Sequence, residues 1–147
     1  MRSAAHVGLR PEKRMNMLQE EQIRIAIENY VRAFETLSPE SVVACYGPSC
    51  LFIRPERVTA AADRESQLKI AEYLIEHAKA SDYHRTEFEG LDVTIRGDRL
   101  AVATAEFIRY DSGQKEIGRF GAAYTLHKND DGRWLIAVAM AYPPSEK

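Results

Sequence analysis

Glu106 is the residue of this chain best suited to acid–base chemistry. It lies in a predicted strand over residues 100–110, on the same face as Val102 and Ile108. A carboxyl group among apolar side chains is desolvated, which raises its pKa toward neutrality. Such groups are candidates for general acid–base catalysis. An ion pair that only maintains the structure is the alternative interpretation.

Tyr30 and Arg54 add two hydrogen-bond donors. Tyr30 lies on the apolar face of a predicted helix, where a phenol can stabilise a developing oxyanion if the site is dry. A core tyrosine with a satisfied hydroxyl is the alternative. Arg54 ends a short apolar strand, and its guanidinium can bind a carboxylate with two parallel hydrogen bonds. We expect Arg54 to orient an anionic group, to pair with Glu106, or to reach solvent at the rim of a pocket.

Apolar and aromatic side chains are expected to surround these groups. Phe120 and Tyr124 share one face of a strand predicted over residues 116–127. This lining suits a small apolar or aromatic ligand, although any core would show the same pattern. The predicted site has Glu106 and Tyr30 as catalytic residues and the following ligand-binding residues: Arg54, Tyr124, Phe52, Ile108, Phe120, Tyr73 and His84.

The composition excludes several functional classes. The 147 residues include 20 Lys and Arg against 22 Asp and Glu, so the charge is near neutral and no nucleic-acid partner is expected. No apolar run is long enough to span a membrane, which favours a cytoplasmic protein without a membrane partner. The two cysteines and four histidines show no metal-ligand spacing, and no glycine-rich phosphate loop occurs. We therefore expect neither a metal nor a cofactor.

The elements that must position the site follow from hydrophobic periodicity. The spacing predicts a first helix from Leu18 to about Leu37, a short second helix after Pro39, and a third helix that begins after Asp63 and ends near Ala80. A loop is expected over residues 56–62. Strands are predicted over residues 50–54, 86–95, 100–110, 116–127 and 133–142, the last four joined by short turns as an antiparallel meander.

The first sixteen residues differ from the rest. They hold four basic residues and one acidic residue, and their apolar residues are few and unperiodic. This composition is typical of a flexible, solvated tail. We therefore expect a basic tail over residues 1–16 and a single domain over residues 17–147.

Four segments carry a resemblance to a known family. They are residues 29–34 (NYVRAF), 41–46 (SVVACY), 51–55 (LFIRP) and 132–136 (GRWLI). In this order the chain resembles the nuclear transport factor 2-like superfamily, in its SnoaL-like and ketosteroid-isomerase-like branch, over about residues 18–142. The resemblance implies an α+β roll of the cystatin-like type. In it, a cone-shaped, curved antiparallel sheet wraps around a long N-terminal helix and two further helices.

The resemblance also bears on function. Tyr30 matches the tyrosine that stabilises an oxyanion in ketosteroid isomerases, but Arg54 stands where those enzymes have their carboxylate base. Their second carboxylate position falls near Ala122, so a ketosteroid isomerase is not expected. The resemblance implies a pocket protein acting as an isomerase, cyclase or dehydratase. The alternative is a non-catalytic dimeric module that senses a ligand or binds a protein.

The last predicted strand is apolar on both faces. Strict alternation would put Trp134, Ile136, Val138 and Met140 on one face and Leu135, Ala137, Ala139 and Ala141 on the other. An antiparallel sheet with one face in water would alternate apolar and polar residues. We therefore expect a homodimer formed through the outer sheet face. Coverage by the basic tail or by the C-terminal segment is the alternative.

Overall fold

The computed structural model describes Gly8 and residues 10–145. In this part of the chain the helices are α1 (Pro11–Glu35), α2 (Pro39–Val43) and α3 (Arg64–Ala80). The strands are β1 (Tyr46–Arg54), β2 (Arg57–Ala61), β3 (Tyr83–Arg96), β4 (Leu100–Asp111), β5 (Glu116–Lys128) and β6 (Trp134–Tyr142).

Local signals account for the helix starts. Pro11 opens α1 at a position where the missing N–H costs nothing, and Pro39 does the same for α2. The side chain of Ser38 accepts a hydrogen bond from the backbone N–H of Ser41, and Asp63 caps α3 in the same way. In α1 the buried residues include Ile23 and Ile27, four positions apart, as a helix packed on a core requires.

The start of α1 differs from the sequence prediction. The helix begins at Pro11, seven residues before Leu18, so residues 11–16 of the expected tail are helical. The hydrophobic pattern missed these roughly two turns because Met15 and Leu18 are exposed and mark no buried face. The remainder of the expected tail, apart from Gly8 and Arg10, lies outside the described residues.

The six strands form one sheet in the order β2-β1-β6-β5-β4-β3. All neighbours are antiparallel except β1 and β6, which run parallel. The α+β architecture, with a curved sheet and three helices, is thus confirmed. The predicted loop over residues 56–62 is wrong, because Arg57–Ala61 turns back and pairs with β1.

A bulge in β6 changes which residues share a face. Leu126 pairs with Ile136 and Thr125 with Val138, so Ala137 is an extra residue on β6. One extra residue exchanges the two faces of the strand beyond it. The strict alternation predicted for this strand is therefore wrong after Ala137. The inward residues are Trp134, Ile136, Ala139 and Ala141, and the outward ones are Leu135, Val138, Met140 and Tyr142.

The helices pack against one face of the sheet, called here the inner face. The core between them contains the buried residues Ile27, Phe34, Tyr46, Phe107 and Leu126. The opposite, outer face is crossed by two rows of paired residues. One row is Thr94, Val102, Thr125, Val138 and Leu51, and the next is Thr104, Ala123, Met140 and Ile53. The first row has no charged side chain. The second row ends on β3 at one charged residue, the exposed Asp92, which pairs with Thr104. The centre of the outer face is therefore apolar and hydroxyl-bearing.

Candidate functional site

A cavity of about 380 Å³ lies between the inner face of the sheet and the helices. Its size is in the range of small-molecule sites. Side chains of α1, α3 and the strands β1, β3, β4, β5 and β6 contribute to its wall. The lining residues are Tyr30, Val31, Phe34, Phe52, Ile53, Arg54, Pro55, Leu74, Thr86, Phe107, Arg109, Phe120, Tyr124, Ala139, Met140, Ala141, Tyr142 and Pro143.

Arg109 is the most unusual residue of this lining. It extends inward from β4, and its guanidinium carbon lies 4.7 Å from the ring centroid of Phe34, 5.2 Å from that of Phe120 and 5.3 Å from that of Tyr83. Its Nε is buried without a hydrogen-bond partner. Among the described residues, no carboxylate lies within ion-pair distance of Arg109. The cavity therefore contains a cation stabilised by aromatic faces instead of by a counterion.

The electrostatics of Arg109 reflect this environment. Burial lowers the pKa of its guanidinium, the neighbouring phenols of Tyr83, Tyr30 and Tyr124 oppose that change, and the charge of Arg54 lowers the pKa further. Arginine nonetheless stays protonated under all ordinary conditions. Two positive side chains thus act on the same cavity.

Tyr30 and Tyr124 line the cavity, and Tyr46 contacts Tyr30. The hydroxyl oxygens of Tyr30 and Tyr46 are 3.0 Å apart and share a hydrogen bond. The ring of Tyr124 meets that of Tyr30 edge-on at 5.6 Å. Burial is the largest cause that raises the pKa of Tyr30, Tyr46 and Tyr124. These phenols are therefore neutral near neutral pH and offer O–H donors.

Glu106 does not face the cavity. On β4 the buried residues Ala101, Ala103, Ala105 and Phe107 alternate with more exposed ones, so Glu106 projects from the outer face. There its carboxylate accepts hydrogen bonds from the N–H and hydroxyl of Ser145 and lies 3.8 Å from a guanidinium nitrogen of Arg119. The predicted pocket position of Glu106 is wrong, and so is its predicted pairing with Arg54. Ile108, buried but on the same side of β4, is also absent from the cavity lining.

The other predicted site residues divide into two groups. Tyr30, Phe52, Arg54, Phe120 and Tyr124 all line the cavity.

Tyr73 and His84 are absent from this lining, contrary to the prediction. The side chain of Tyr73 is 55% exposed on α3 and contacts His77 at a ring distance of 4.5 Å, and His84 is exposed at the start of β3. Tyr73 lies on the solvent side of α3, away from the cavity, because Gln67, Ala71 and Ile75 form the buried side of this helix.

Sequence reasoning missed Arg109. Its face of β4 carries Ala101, Ala103 and Ala105, which are small, whereas the opposite face carries Val102, Ile108 and Tyr110. The resemblance to the family had implied that the face of Glu106 is the pocket side. The available signal was Phe107, which shares a face with Arg109 and is 2% exposed.

The chemistry of the described lining is limited. It contains no Asp, Glu, His or Cys, so none of these residues can remove a proton from a bound molecule. Within Gly8 and residues 10–145, no group of three or more His, Cys, Asp or Glu side chains could hold a metal ion. Among the same residues, no helix combines the length and apolar character needed to cross a membrane.

A comparison with protein families assigns the chain to one of them. The profile of the family described as NTF2-like protein (DUF6841) matches residues 19–144, which is most of the chain. The chain belongs to this NTF2-like family. No curated protein matches the sequence.

Solved structures show the same NTF2-like fold. An NTF2-like protein with a cystatin-like fold from Novosphingobium aromaticivorans has a TM-score of 0.74 at 14% identity, covering 100% of this chain and 94% of that one. A domain of unknown function from Nostoc punctiforme has a TM-score of 0.69 at 21% identity, covering 86% and 78%. A ketosteroid isomerase-like protein from Erwinia carotovora atroseptica has a TM-score of 0.65 at 17% identity, covering 84% and 95%.

This NTF2-like membership concerns the fold. Identities this low leave function to the residues of the individual site. The cavity chemistry around Arg109 is therefore the basis for the functional conclusion.

Proposed function

We propose that this NTF2-like protein binds a small apolar or aromatic molecule that carries an anionic group, and that it does so without catalysing a reaction. The observation that carries the proposal is the buried guanidinium of Arg109, which lines the cavity with no carboxylate of the described residues beside it. An acid of this kind would supply the missing counterion.

The energetics favour such a ligand. A buried charge without a partner is costly, and hydrogen bonds to a charged group are stronger than those between neutral groups. An anion entering the cavity would pair with Arg109 in a site of low dielectric constant, where the interaction is weakly screened. Arg54, which also lines the cavity, adds a second positive charge.

The rest of the wall suits an apolar ligand body. Phe107 and Phe120 are stacked at 5.5 Å with an interplanar angle of 14°, and Phe52 and Phe34 close other sides. Aromatic rings bury large areas and prefer offset or edge contacts with other rings. A planar aromatic acid is therefore well matched to the cavity.

Catalysis is not supported by the lining. Acid–base chemistry near neutral pH needs a group whose pKa lies close to the operating pH. Arg109 stays protonated, and the pKa values of Tyr30 and Tyr124 are raised above the ordinary phenol value by burial. Glu106, the best acid–base candidate in the sequence, is on the outer face. These features favour a ligand-sensing or carrier role.

Calorimetry with two matched probes tests the proposal. Naphthalene-2-carboxylate should bind, and naphthalene-2-carboxamide, which has the same shape without the charge, should bind much more weakly. Arg109→Met should weaken binding of the carboxylate by roughly a hundredfold. Arg119→Met is the matched control, because Arg119 lies on the outer face and pairs with Glu106 and Glu116. Equal affinity for both probes, or binding of the acid that is indifferent to Arg109→Met, would refute the proposal.

We also propose that two copies of the chain associate through the outer face. The support is the apolar centre of the two rows across the sheet, whose one charged residue is Asp92 at the β3 end and in which Leu51, Val102 and Met140 are each more than a third exposed. Exposed apolar patches of this kind are typical of protein interfaces, and symmetric dimers are the commonest oligomers. Of the C-terminal segment, the described residue Ser145 contacts Glu106 at one side of this face.

A further inference from the structure

We propose that the ligand carries a second polar group, an oxygen acceptor at the end remote from its acid, and that the hydroxyl of Tyr124 recognises it. The ligand class is then an aromatic or alicyclic acid with a distant hydroxyl or keto oxygen. This inference rests on the proposed function, since it takes Arg109 as the anchor of the acid group.

The first argument is the state of the Tyr124 hydroxyl. The tyrosine is 7% exposed, and its ring is held edge-on between Tyr30 at 5.6 Å and Phe107 at 5.9 Å. Within the described residues, its hydroxyl makes no hydrogen bond, although Tyr124 lines the cavity. Because this hydroxyl is not a fully enclosed atom, it is open to the cavity, where water or a group of a bound ligand supplies its hydrogen bond.

The second argument is that the other hydroxyls of the lining are engaged. Tyr30 shares its hydrogen bond with Tyr46. Thr86 Oγ1 lies 2.6 Å from the hydroxyl of Tyr83. The hydroxyl of Tyr142 donates to the carbonyl oxygen of Ala122. Tyr124 is thus the hydroxyl-bearing residue of the described lining that remains available for a ligand.

The third argument is the position of Tyr124 relative to Arg109. A continuous path of rings joins the two residues. The guanidinium of Arg109 lies over Phe120 at 5.2 Å, Phe120 stacks on Phe107 at 5.5 Å, and Phe107 meets Tyr124 at 5.9 Å. A ligand ring lying along the Phe107–Phe120 pair would have its acid at one end and Tyr124 at the other. The two polar contacts are therefore separated by an apolar stretch.

The protonation state is consistent with this role. Burial raises the pKa of Tyr124, so the phenol keeps its proton at neutral pH and donates it to an acceptor oxygen. A ligand without that oxygen would displace water from the Tyr124 hydroxyl and form no hydrogen bond in its place. The protein should therefore bind a ligand with the acceptor oxygen more tightly than one without it.

The test compares 6-hydroxynaphthalene-2-carboxylate with naphthalene-2-carboxylate by calorimetry. The hydroxylated acid should bind the unmodified protein about three- to tenfold more tightly, the value of one neutral hydrogen bond. Tyr124→Phe, which removes only the hydroxyl, should abolish this advantage. Tyr110→Phe is the matched control and should retain it, because Tyr110 lies on the outer face and its hydroxyl contacts Glu87.

Two results would overturn the inference. One is an advantage of the hydroxylated acid that persists in Tyr124→Phe, and the other is the absence of any advantage in the unmodified protein. In either case, binding of naphthalene-2-carboxylate that still depends on Arg109 leaves the proposed function standing. Binding of both acids that is indifferent to Arg109→Met refutes the proposed function as well.

Discussion

Glu106 and Arg109 lie three positions apart on β4, and their side chains leave opposite faces of the sheet. Glu106 is held on the outer face by Ser145 and Arg119. Arg109 points into the cavity among Phe34, Tyr83 and Phe120. The sheet thus separates the carboxylate of Glu106 from the guanidinium of Arg109, so the two charges cannot form an ion pair. The cavity keeps a positive charge that an anionic ligand can use.

Glu106→Gln should leave ligand binding unchanged. The carboxylate lies on the far side of the sheet from the cavity, and the amide keeps the shape of the side chain. Calorimetric titration with naphthalene-2-carboxylate measures this directly, with Arg109→Met as the positive control for lost affinity. A large loss of affinity in Glu106→Gln would mean that the outer face contributes to the site.

Arg109→Met should stabilise the unliganded protein. Replacing a buried, unpaired charge by an apolar side chain of similar length removes a desolvation cost, and related substitutions raise stability by about 1–3 kcal/mol. Chemical denaturation of the two proteins gives the difference. Arg119→Met, which breaks ion pairs at the surface, should not stabilise. A less stable Arg109→Met protein would show that the aromatic contacts of Arg109 serve the structure instead of a ligand.

Stability should decline under alkaline conditions. Burial raises the pKa of Tyr30, Tyr46 and Tyr124 in the folded state, whereas the unfolded chain titrates near the ordinary value of about 10. As the pH rises past that value, the unfolded state loses these protons first. The stability contributed by the neutral phenols is therefore complete below about pH 10 and is lost above it.

Denaturation curves recorded from about pH 8 to about pH 11, with phenolate absorbance as a second signal, check this expectation. Tyr124→Phe should reduce the slope of stability against pH, because it removes one of the three groups. An unchanged slope in Tyr124→Phe would contradict the assigned burial of that phenol.

Val102→Glu should convert a dimer into a monomer. Val102 is 39% exposed in the middle of an uncharged row on the outer face, where a carboxylate would be desolvated in an interface. Light scattering should give twice 16.7 kDa for the unmodified chain and 16.7 kDa for the variant. Leu18→Glu is the control, since Leu18 is 61% exposed on α1 and should not affect the mass. A monomeric unmodified protein would refute the dimer.

Gly121→Ala should destabilise the end of β6. A methyl group at residue 121 would lie 2.2 Å from Cε1 of Tyr142, so the ring must leave the surface of β5. The displaced ring loses its hydrogen bond to the carbonyl of Ala122, and the expected cost is about 1 kcal/mol. In a Tyr142→Ala background the same substitution should cost much less. Equal costs in both backgrounds would show that the ring does not pack on Gly121.

The helices with a hydrophobic periodicity, the helix caps and the strands bounded by short turns were predictable from the sequence. Ile23 and Ile27 mark the buried side of α1, Ser38 and Asp63 cap their helices, and the strands separated by short turns pair as neighbours. These features depend on interactions between residues close in sequence. The family resemblance added the α+β roll with its curved sheet. The strand order, in which β1 lies beside β6, was not predicted and came from the tertiary structure.

Sequence alone predicted α2, α3 and the four-strand meander, because hydrophobic spacing and capping are local properties, but it missed β2 and the first turns of α1. Five of the nine predicted site residues line the cavity. Only the tertiary structure decided which face of each strand is inside. The Ala137 bulge exchanges the faces of β6, and the inner side of β4 carries the small buried residues Ala101, Ala103 and Ala105. Because the alanine-bearing face of β4 is the inner one, Glu106 lies on the outer face and Arg109 lines the cavity. Pairing across strands and packing between layers determine the face, and neither can be read from one strand.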